Sequence, residues 1–131
     1  ATDQAGNEPA PEHESAEQRH ARTVLTIDGV ACAAAAIGTV AIGPGSPLHI
    51  RCARAPLAAA LGGTSALLLR SARRKPIRNA DLERAALINL GWVLTCSIAL
   101  RRPQSRLGTA VILSTAAFDA GAAIAQWRLR S

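Results

Sequence analysis

Apolar and polar positions fall into long blocks along this chain rather than into the short repeat of a soluble helix. The clearest block runs from Leu107 to Trp127, LGTAVILSTAAFDAGAAIAQW, and contains one charged residue, Asp119. At about 1.5 Å per residue, a helix of this length crosses the roughly 30 Å hydrocarbon core of a bilayer. A soluble helix of similar length normally has a polar face that repeats every 3.6 residues, and this block has almost none. The pattern predicts a transmembrane helix.

Three further apolar blocks precede this one. Those at about 24–43 and 84–100 are long enough to span a bilayer, whereas the block at about 55–70 is short for a span. A re-entrant or surface-lying helix is therefore the alternative for that second block. The pattern predicts an all-α fold, an integral membrane four-helix bundle with spans at about 24–43, 55–70, 84–100 and 107–127.

The first 22 residues differ sharply from the rest of the chain. Residues 1–22 are polar and contain five acidic side chains, and the predicted transmembrane domain covers 23–131. A segment of this composition cannot bury enough apolar surface to offset the entropy of ordering it. We expect an acidic N-terminal tail that is disordered or held by a partner. It does not resemble a secretory signal, because the region before the first apolar block is acidic rather than basic.

The composition favours a membrane bundle over a soluble core. Hydrophobic residues make up 49% of the chain, but it has only one Phe, two Trp, no Tyr and no Met. A soluble core normally relies on such large side chains, whereas small residues let helices approach closely in lipid. The net charge of +6 would also suit a nucleic-acid binder. We expect no nucleic-acid partner, because the sequence lacks interleaved aromatic residues and a recognisable binding module.

The distribution of basic residues predicts the orientation. Ten of the 15 Lys and Arg residues lie in the tail, in the 70–84 hinge or at the C-terminus, and five lie in the other two loops. Basic residues accumulate on the cytoplasmic side of a membrane. We therefore expect a multi-pass protein of the bacterial inner membrane with both termini in the cytoplasm. Without the second span, the termini would lie on opposite sides.

Four short motifs occur in the order of the spans. They are Asp28 early in the first, Gly62-Gly63 in the second, Asn89-Leu90-Gly91-Trp92 in the third and Gln126-Trp127-Arg128 at the end of the fourth. In these motifs the chain resembles small four-span inner-membrane proteins of high-GC bacteria, most of which are uncharacterised. The resemblance covers most of the chain after the tail, which is not part of that pattern. It implies a four-span fold and no particular activity.

Three polar residues within the predicted spans are candidates for a functional site, because polar side chains are costly in lipid. Asp28, Asn89 and Asp119 each fall about 7 to 12 Å from the predicted cytoplasmic surface. The pattern therefore predicts one intramembrane polar cluster shared by three helices. Its two interpretations are a hydrogen-bonded staple and a proton or cation site. We favour the staple, because one cluster without a second polar layer makes a poor conduction path.

Small residues spaced four apart predict helix-packing faces on the first and fourth spans. These residues are Ala34, Gly38, Ala117, Gly121 and Ala125. The hinge also carries a group of basic residues that could bind anionic lipid headgroups, although their role in setting the topology is a sufficient explanation. This group is Arg73, Arg74, Lys75 and Arg78.

Neither catalysis nor metal binding has a sequence signature here. We find no nucleophile beside a base, no paired carboxylates and no glycine-rich phosphate loop. The three cysteines, Cys32, Cys52 and Cys96, have no zinc-site spacing. We therefore expect no enzyme activity, no cofactor and no metal.

The sequence favours a structural or accessory subunit of a larger membrane complex that binds through its transmembrane helices. The expected partners are membrane lipid and either another membrane protein or a second copy of this chain. The alternative is a small transporter or an ion- or proton-handling protein that uses Asp28 and Asp119. A soluble helical interaction protein is a third class.

Overall fold

The computed structural model describes residues 14–43, 45–46 and 53–130. This part of the chain forms four α-helices and contains no strand, which confirms the predicted all-helical fold. The helices are α1 (Ala16–Ala41), α2 (Arg54–Ala72), α3 (Asn79–Ala99) and α4 (Arg106–Leu129). Three of them, α1, α3 and α4, are long and apolar enough to cross a membrane. Because α2 is not among them, the second span, and with it the total of four spans, stays a prediction.

The helices form two antiparallel hairpins, α1–α2 and α3–α4. The hairpins meet mainly where α1 packs against α4, and α2 makes little contact with α3. We call the end of the bundle that contains the 73–78 connection the hinge end; α1 starts and α4 finishes there. The opposite end, which contains the 100–105 connection, is the turn end.

The first helix begins inside the segment expected to be a tail. The Ser15 hydroxyl caps it by accepting a 3.1 Å hydrogen bond from the Gln18 backbone N–H. The Gln18 side chain then exchanges two hydrogen bonds with the backbone of Ile77, at 3.1 and 2.9 Å. These contacts with the hinge explain why residues 16–22 are helical despite their polarity. The remainder of the predicted tail, residues 1–13, lies outside the described residues.

The hydrophobic core lies at the hinge end. It contains buried side chains from α1, α2, α3 and the hinge: Ala21, Leu25, Leu68, Ala72, Ile77 and Leu82. Arg22 fastens the start of α1 to the hinge by donating to the carbonyl oxygens of Ala72 and Arg74. Its guanidinium also pairs with Glu14 at 2.6 Å, and this hydrogen bond lowers the pKa of the Glu14 carboxyl. The bundle is therefore closed at this end.

Gly29 allows α1 and α2 to pack closely. A Cβ atom at this position would lie 2.7 Å from Leu69 Cγ and 3.3 Å from the Leu69 backbone nitrogen. The Ser65 hydroxyl donates a 2.7 Å hydrogen bond to the Gly29 carbonyl oxygen at the same crossing. The residue next to Asp28 is thus a glycine because no larger side chain fits against α2 without displacing Leu69.

Large apolar side chains cover the outside of the bundle. More than half of the side-chain surface is exposed at Ile27, Val30, Ile37, Val40, Leu87, Leu90, Leu94, Ile98, Leu113 and Ile124. The buried residues include many polar ones, namely Asp28, Ser65, Ser71, Asp81, Asn89, Asp119 and Gln126. This distribution is the reverse of the one that a soluble helical bundle normally has.

Candidate functional site

A hydrogen-bonded network of three fully buried side chains joins three of the helices. We call Asp28 of α1, Asn89 of α3 and Gln126 of α4 the polar network. The Asn89 side-chain nitrogen donates to Asp28 Oδ2 at 2.6 Å and to Gln126 Oε1 at 2.9 Å. The Gln126 side-chain nitrogen donates to the same oxygen of Asp28 at 2.7 Å. Each pair of these side chains is therefore in direct contact.

Each member of the network lies on the inward stripe of its helix. Buried residues recur at spacings of three, four and seven, which keeps them on one helix face. On α1 they are Ala21, Leu25, Asp28 and Cys32; on α3, Leu82, Ala85, Ala86 and Asn89; on α4, Ile112, Asp119, Ala123 and Gln126. The polar side chains meet because these three stripes converge at the same level of the bundle.

The orientation of the Asn89 amide follows from its neighbours. Its nitrogen faces three acceptors, the third being the Ala85 carbonyl oxygen at 3.1 Å. Turning the amide over would place its oxygen against these acceptors. In this orientation Asn89 Oδ1 is buried and has no hydrogen-bond partner in the described part of the chain. The network therefore has an acceptor available for one more donor.

Asp28 is held by neutral donors. It is 0% exposed, and no ion pair involves it among the residues that the structure describes. The Cys32 thiol lies 3.9 Å from Asp28 Oδ1, one turn farther along α1. A buried carboxylate is costly unless hydrogen bonds compensate for its lost hydration, and the amides of Asn89 and Gln126 provide two of them. The arrangement can serve as a structural staple or hold a proton.

The structure brings together two of the three residues predicted to form the cluster. Asp28 and Asn89 are hydrogen-bonded, whereas Asp119 lies seven residues before Gln126 on α4 and thus about 10 Å nearer the turn end. Asp119 is buried, at 6% exposure. Among the described residues, no hydrogen bond joins it to Asp28 or Asn89.

Gln126 is the member of the network that sequence reasoning missed. In the sequence it belongs to the Gln-Trp motif at the end of the last predicted span. The available signal was its spacing from Asp119, because residues seven apart lie on one face of a helix. Gln126 is 0% exposed and belongs to the interior.

The helices separate toward the turn end and enclose a cavity of about 870 Å³. All four helices line this turn-end cavity, mostly with apolar side chains, and Trp92 lies in its wall one turn from Asn89. Arg54 and Arg102 are its only charged lining residues within the described part of the chain. The Arg54 guanidinium donates to the carbonyl oxygens of Thr39, at 3.0 Å, and Val40 near the end of α1.

The predicted packing residues do not form close internal contacts. Ala34, Ala117 and Gly121 are exposed, and Gly38 and Ala125 are half-buried. A Cβ atom at Gly121 would meet nothing within 4 Å, and Ala34 and Gly38 line the turn-end cavity. Whether the outward face of α4 binds a partner stays a prediction.

The four basic hinge residues, Arg73, Arg74, Lys75 and Arg78, surround a shallow cleft of about 400 Å³ together with Arg70 and Pro76. Arg74 also lies 3.8 Å from the buried carboxylate of Asp81, which Arg84 approaches to 3.7 Å. The hinge therefore places its charges together at the surface of the hinge end. The contact of these residues with anionic lipid stays a prediction.

Within the described residues, no group of three or more His, Cys, Asp or Glu side chains could hold a metal ion. Cys32 is buried, Cys96 is half-buried, and Cys52 lies outside the described residues. Comparison with models of protein families, with curated proteins and with solved structures finds no match to this chain. The function is therefore inferred from the fold and the geometry of the site.

Proposed function

We propose that this protein is a multi-pass membrane protein that acts as a structural or accessory subunit of a larger membrane complex. Its apolar exterior supports membrane insertion, because lipid tails accept the exposed Ile, Leu and Val side chains that water would not. The buried polar network supports it too, because amide and carboxylate groups inside a bundle are shielded from lipid by the helices around them.

In the proposed orientation, the hinge end lies on the cytoplasmic side of the bacterial inner membrane. The basic residues of the hinge and of both chain ends lie at this end of the bundle, which is the distribution that the positive-inside rule predicts. Although α2 is not among the helices long and apolar enough to span a membrane, we place it across the membrane beside α1, against which it packs closely at Gly29 and Leu69. Both termini then lie on the cytoplasmic side.

The accessory role rests on the outward face of α4. Ala117, Gly121 and Ala125 leave a shallow strip along the helix, and the space at Gly121 is open. In lipid, such strips allow a second helix to approach until backbone atoms are in van der Waals contact. Within the bundle the polar network acts as a staple, because its three side chains hydrogen-bond one another across α1, α3 and α4.

Purification in a mild detergent followed by native mass spectrometry tests this proposal. We expect a stoichiometric membrane-protein partner, or a second copy of the chain, that is lost in Gly121→Leu. The matched control is Gly63→Leu, since Gly63 is also exposed and also has open space at its Cβ position. A complex that survives Gly121→Leu, or a wild-type protein that is monomeric and alone, would contradict the accessory role.

Proton or ion handling is the second candidate function. It is favoured by Asn89 Oδ1, a buried acceptor without a partner among the described residues, beside the Asp28 carboxylate. If Asp119→Asn abolished a proton-linked activity and left the yield of folded protein unchanged, the network would have to be interpreted as a proton site rather than a staple.

A further inference from the structure

The turn-end cavity is lined mainly by apolar residues from all four helices. Its volume of about 870 Å³ falls within the range of about 300 to 1,000 Å³ that is typical of ligand sites. The wall is formed largely by Ala, Leu, Ile and Val side chains, with a few hydroxyl and thiol groups. The polar network and the hinge-end core close it on one side. A ligand must therefore be mostly apolar and must enter from the turn end or between the helices.

The depth of the cavity matches one leaflet of a bilayer. On α1 its lining extends from Ala34 to Ile42, which corresponds to about 12 Å along the helix axis. On α3 it extends from Trp92 to Ala99, or about 10 Å. Half of the roughly 30 Å hydrocarbon core of a bilayer is about 15 Å. An acyl chain that follows the helices from the turn-end surface would fill this depth.

The charges at the mouth of the cavity are positive. Arg102 lines the cavity, and its guanidinium makes no hydrogen bond or ion pair with other described residues. Arg54 has its guanidinium at the end of α1, and no described Asp or Glu lines the cavity. An apolar space with an unpaired guanidinium at its opening is complementary to a ligand with an anionic head and a hydrocarbon tail.

We propose that the turn-end cavity binds an acyl chain of an anionic phospholipid from the surrounding bilayer, with the headgroup phosphate bound by Arg102 and Arg54. The proposal rests on the proposed membrane location of the protein. Basic pockets between transmembrane helices bind anionic lipid headgroups in this way. The lipid fills the space between the two hairpins and keeps them apart at the turn end.

Trp92 provides a probe inside the cavity. The other tryptophan, Trp127, lies at the hinge end, where the Arg130 guanidinium stacks 3.6 Å above its ring. Trp127→Phe therefore leaves Trp92 as the only tryptophan in the chain. Brominated acyl chains quench tryptophan fluorescence on contact. The full-length Trp127→Phe protein is placed in phosphatidylcholine vesicles that contain a small fraction of brominated phosphatidylglycerol, or the same fraction of brominated phosphatidylcholine.

We expect stronger quenching by brominated phosphatidylglycerol. Gly38→Leu fills the cavity and should abolish the difference between the lipids, whereas Gly63→Leu, on an outward face, should retain it. Arg102→Gln should reduce the preference for phosphatidylglycerol about fivefold. Its neighbour Arg101 is exposed and does not line the cavity, so Arg101→Gln is the matched control. Ala60→Leu replaces Gly38→Leu if that variant fails to fold.

Three results would overturn the proposal. Equal quenching by both brominated lipids, in a protein that floats with the vesicles, would show that the cavity does not select an anionic lipid. No quenching by either lipid in a floating protein would show that no acyl chain enters the cavity. No quenching in a protein that does not float with the vesicles would overturn the membrane location as well, which separates the two failures.

Discussion

Gln126 donates a 2.7 Å hydrogen bond to the Asp28 carboxylate across 98 positions of sequence, and so joins the end of the last helix to the first. The same carboxylate oxygen accepts from Asn89, so one atom of α1 holds both helices of the second hairpin. This contact lies where the two hairpins meet. The polar network is therefore the principal polar connection between them in the described part of the chain.

Replacing Gln126 should loosen this connection. Gln126→Met keeps the side-chain length but removes the hydrogen bonds to Asp28 and Asn89. Interhelical hydrogen bonds in membranes average about 0.6 kcal/mol and reach about 1.7 kcal/mol, so we expect the free energy of unfolding to fall by about 1 to 2 kcal/mol. Unfolding in mixed micelles measures the change. Ser114→Ala, at an exposed position of α4, is the control, and an equal effect in both variants would contradict the staple.

Asp28 should tolerate change less well than Asp119. Asp28→Leu leaves the buried Gln126 side-chain nitrogen without its acceptor, at about 1 to 3 kcal/mol for an unsatisfied group, and removes one of the three acceptors of Asn89. Asp119→Leu removes a buried carboxyl group that bonds to neither Asp28 nor Asn89, so we expect a smaller loss. Asp119→Asn should be tolerated. The measurement is the yield of monodisperse protein after detergent extraction, and a larger loss for Asp119→Leu than for Asp28→Leu would contradict this order.

Gly29 should be intolerant of even a methyl group. Gly29→Ala places its Cβ 2.7 Å from Leu69 Cγ, and we expect a destabilisation of about 1 to 3 kcal/mol. Gly63→Ala has open space and should be neutral, or stabilising by up to about 1 kcal/mol, because alanine favours the helix. Thermal unfolding monitored by circular dichroism compares the two. Leu69→Ala should partly rescue Gly29→Ala, and a Gly29→Ala protein as stable as wild type would show that the helices are farther apart than described.

Features of the structure that depend on local pattern could be predicted from the sequence. The four apolar blocks match the four helices, and the polar positions within them marked Asp28 and Asn89 as neighbours. Long-range contacts could not be predicted in the same way. The helical start at Ala16 depends on Gln18 bonding to Ile77 across 59 positions, which local composition does not encode.

Two other features could not be predicted from the sequence for a related reason. The importance of Gly29 arises from the position of Leu69 on another helix, whereas the Ala-rich spans contain many small residues at similar spacings. The turn-end cavity results from the separation of the two hairpins, and the sequence of one helix does not determine its distance from the neighbouring helices. The spacing of residues within one helix predicts which of them share a face, but not which residues of other helices contact that face.

The side of the membrane on which each connection lies distinguishes a four-span bundle from one with fewer spans. A reporter enzyme that is active only in the periplasm, together with a fluorescent protein that matures only in the cytoplasm, is fused in turn after Gly45, Pro76, Gln104 and Ser131. A four-span bundle predicts cytoplasmic signals from Pro76 and Ser131 and periplasmic signals from Gly45 and Gln104, because each of its four helices crosses the membrane. Gly45 and Pro76 on the same side would show that α2 does not cross, and a fusion protein found in the soluble fraction would contradict membrane insertion itself.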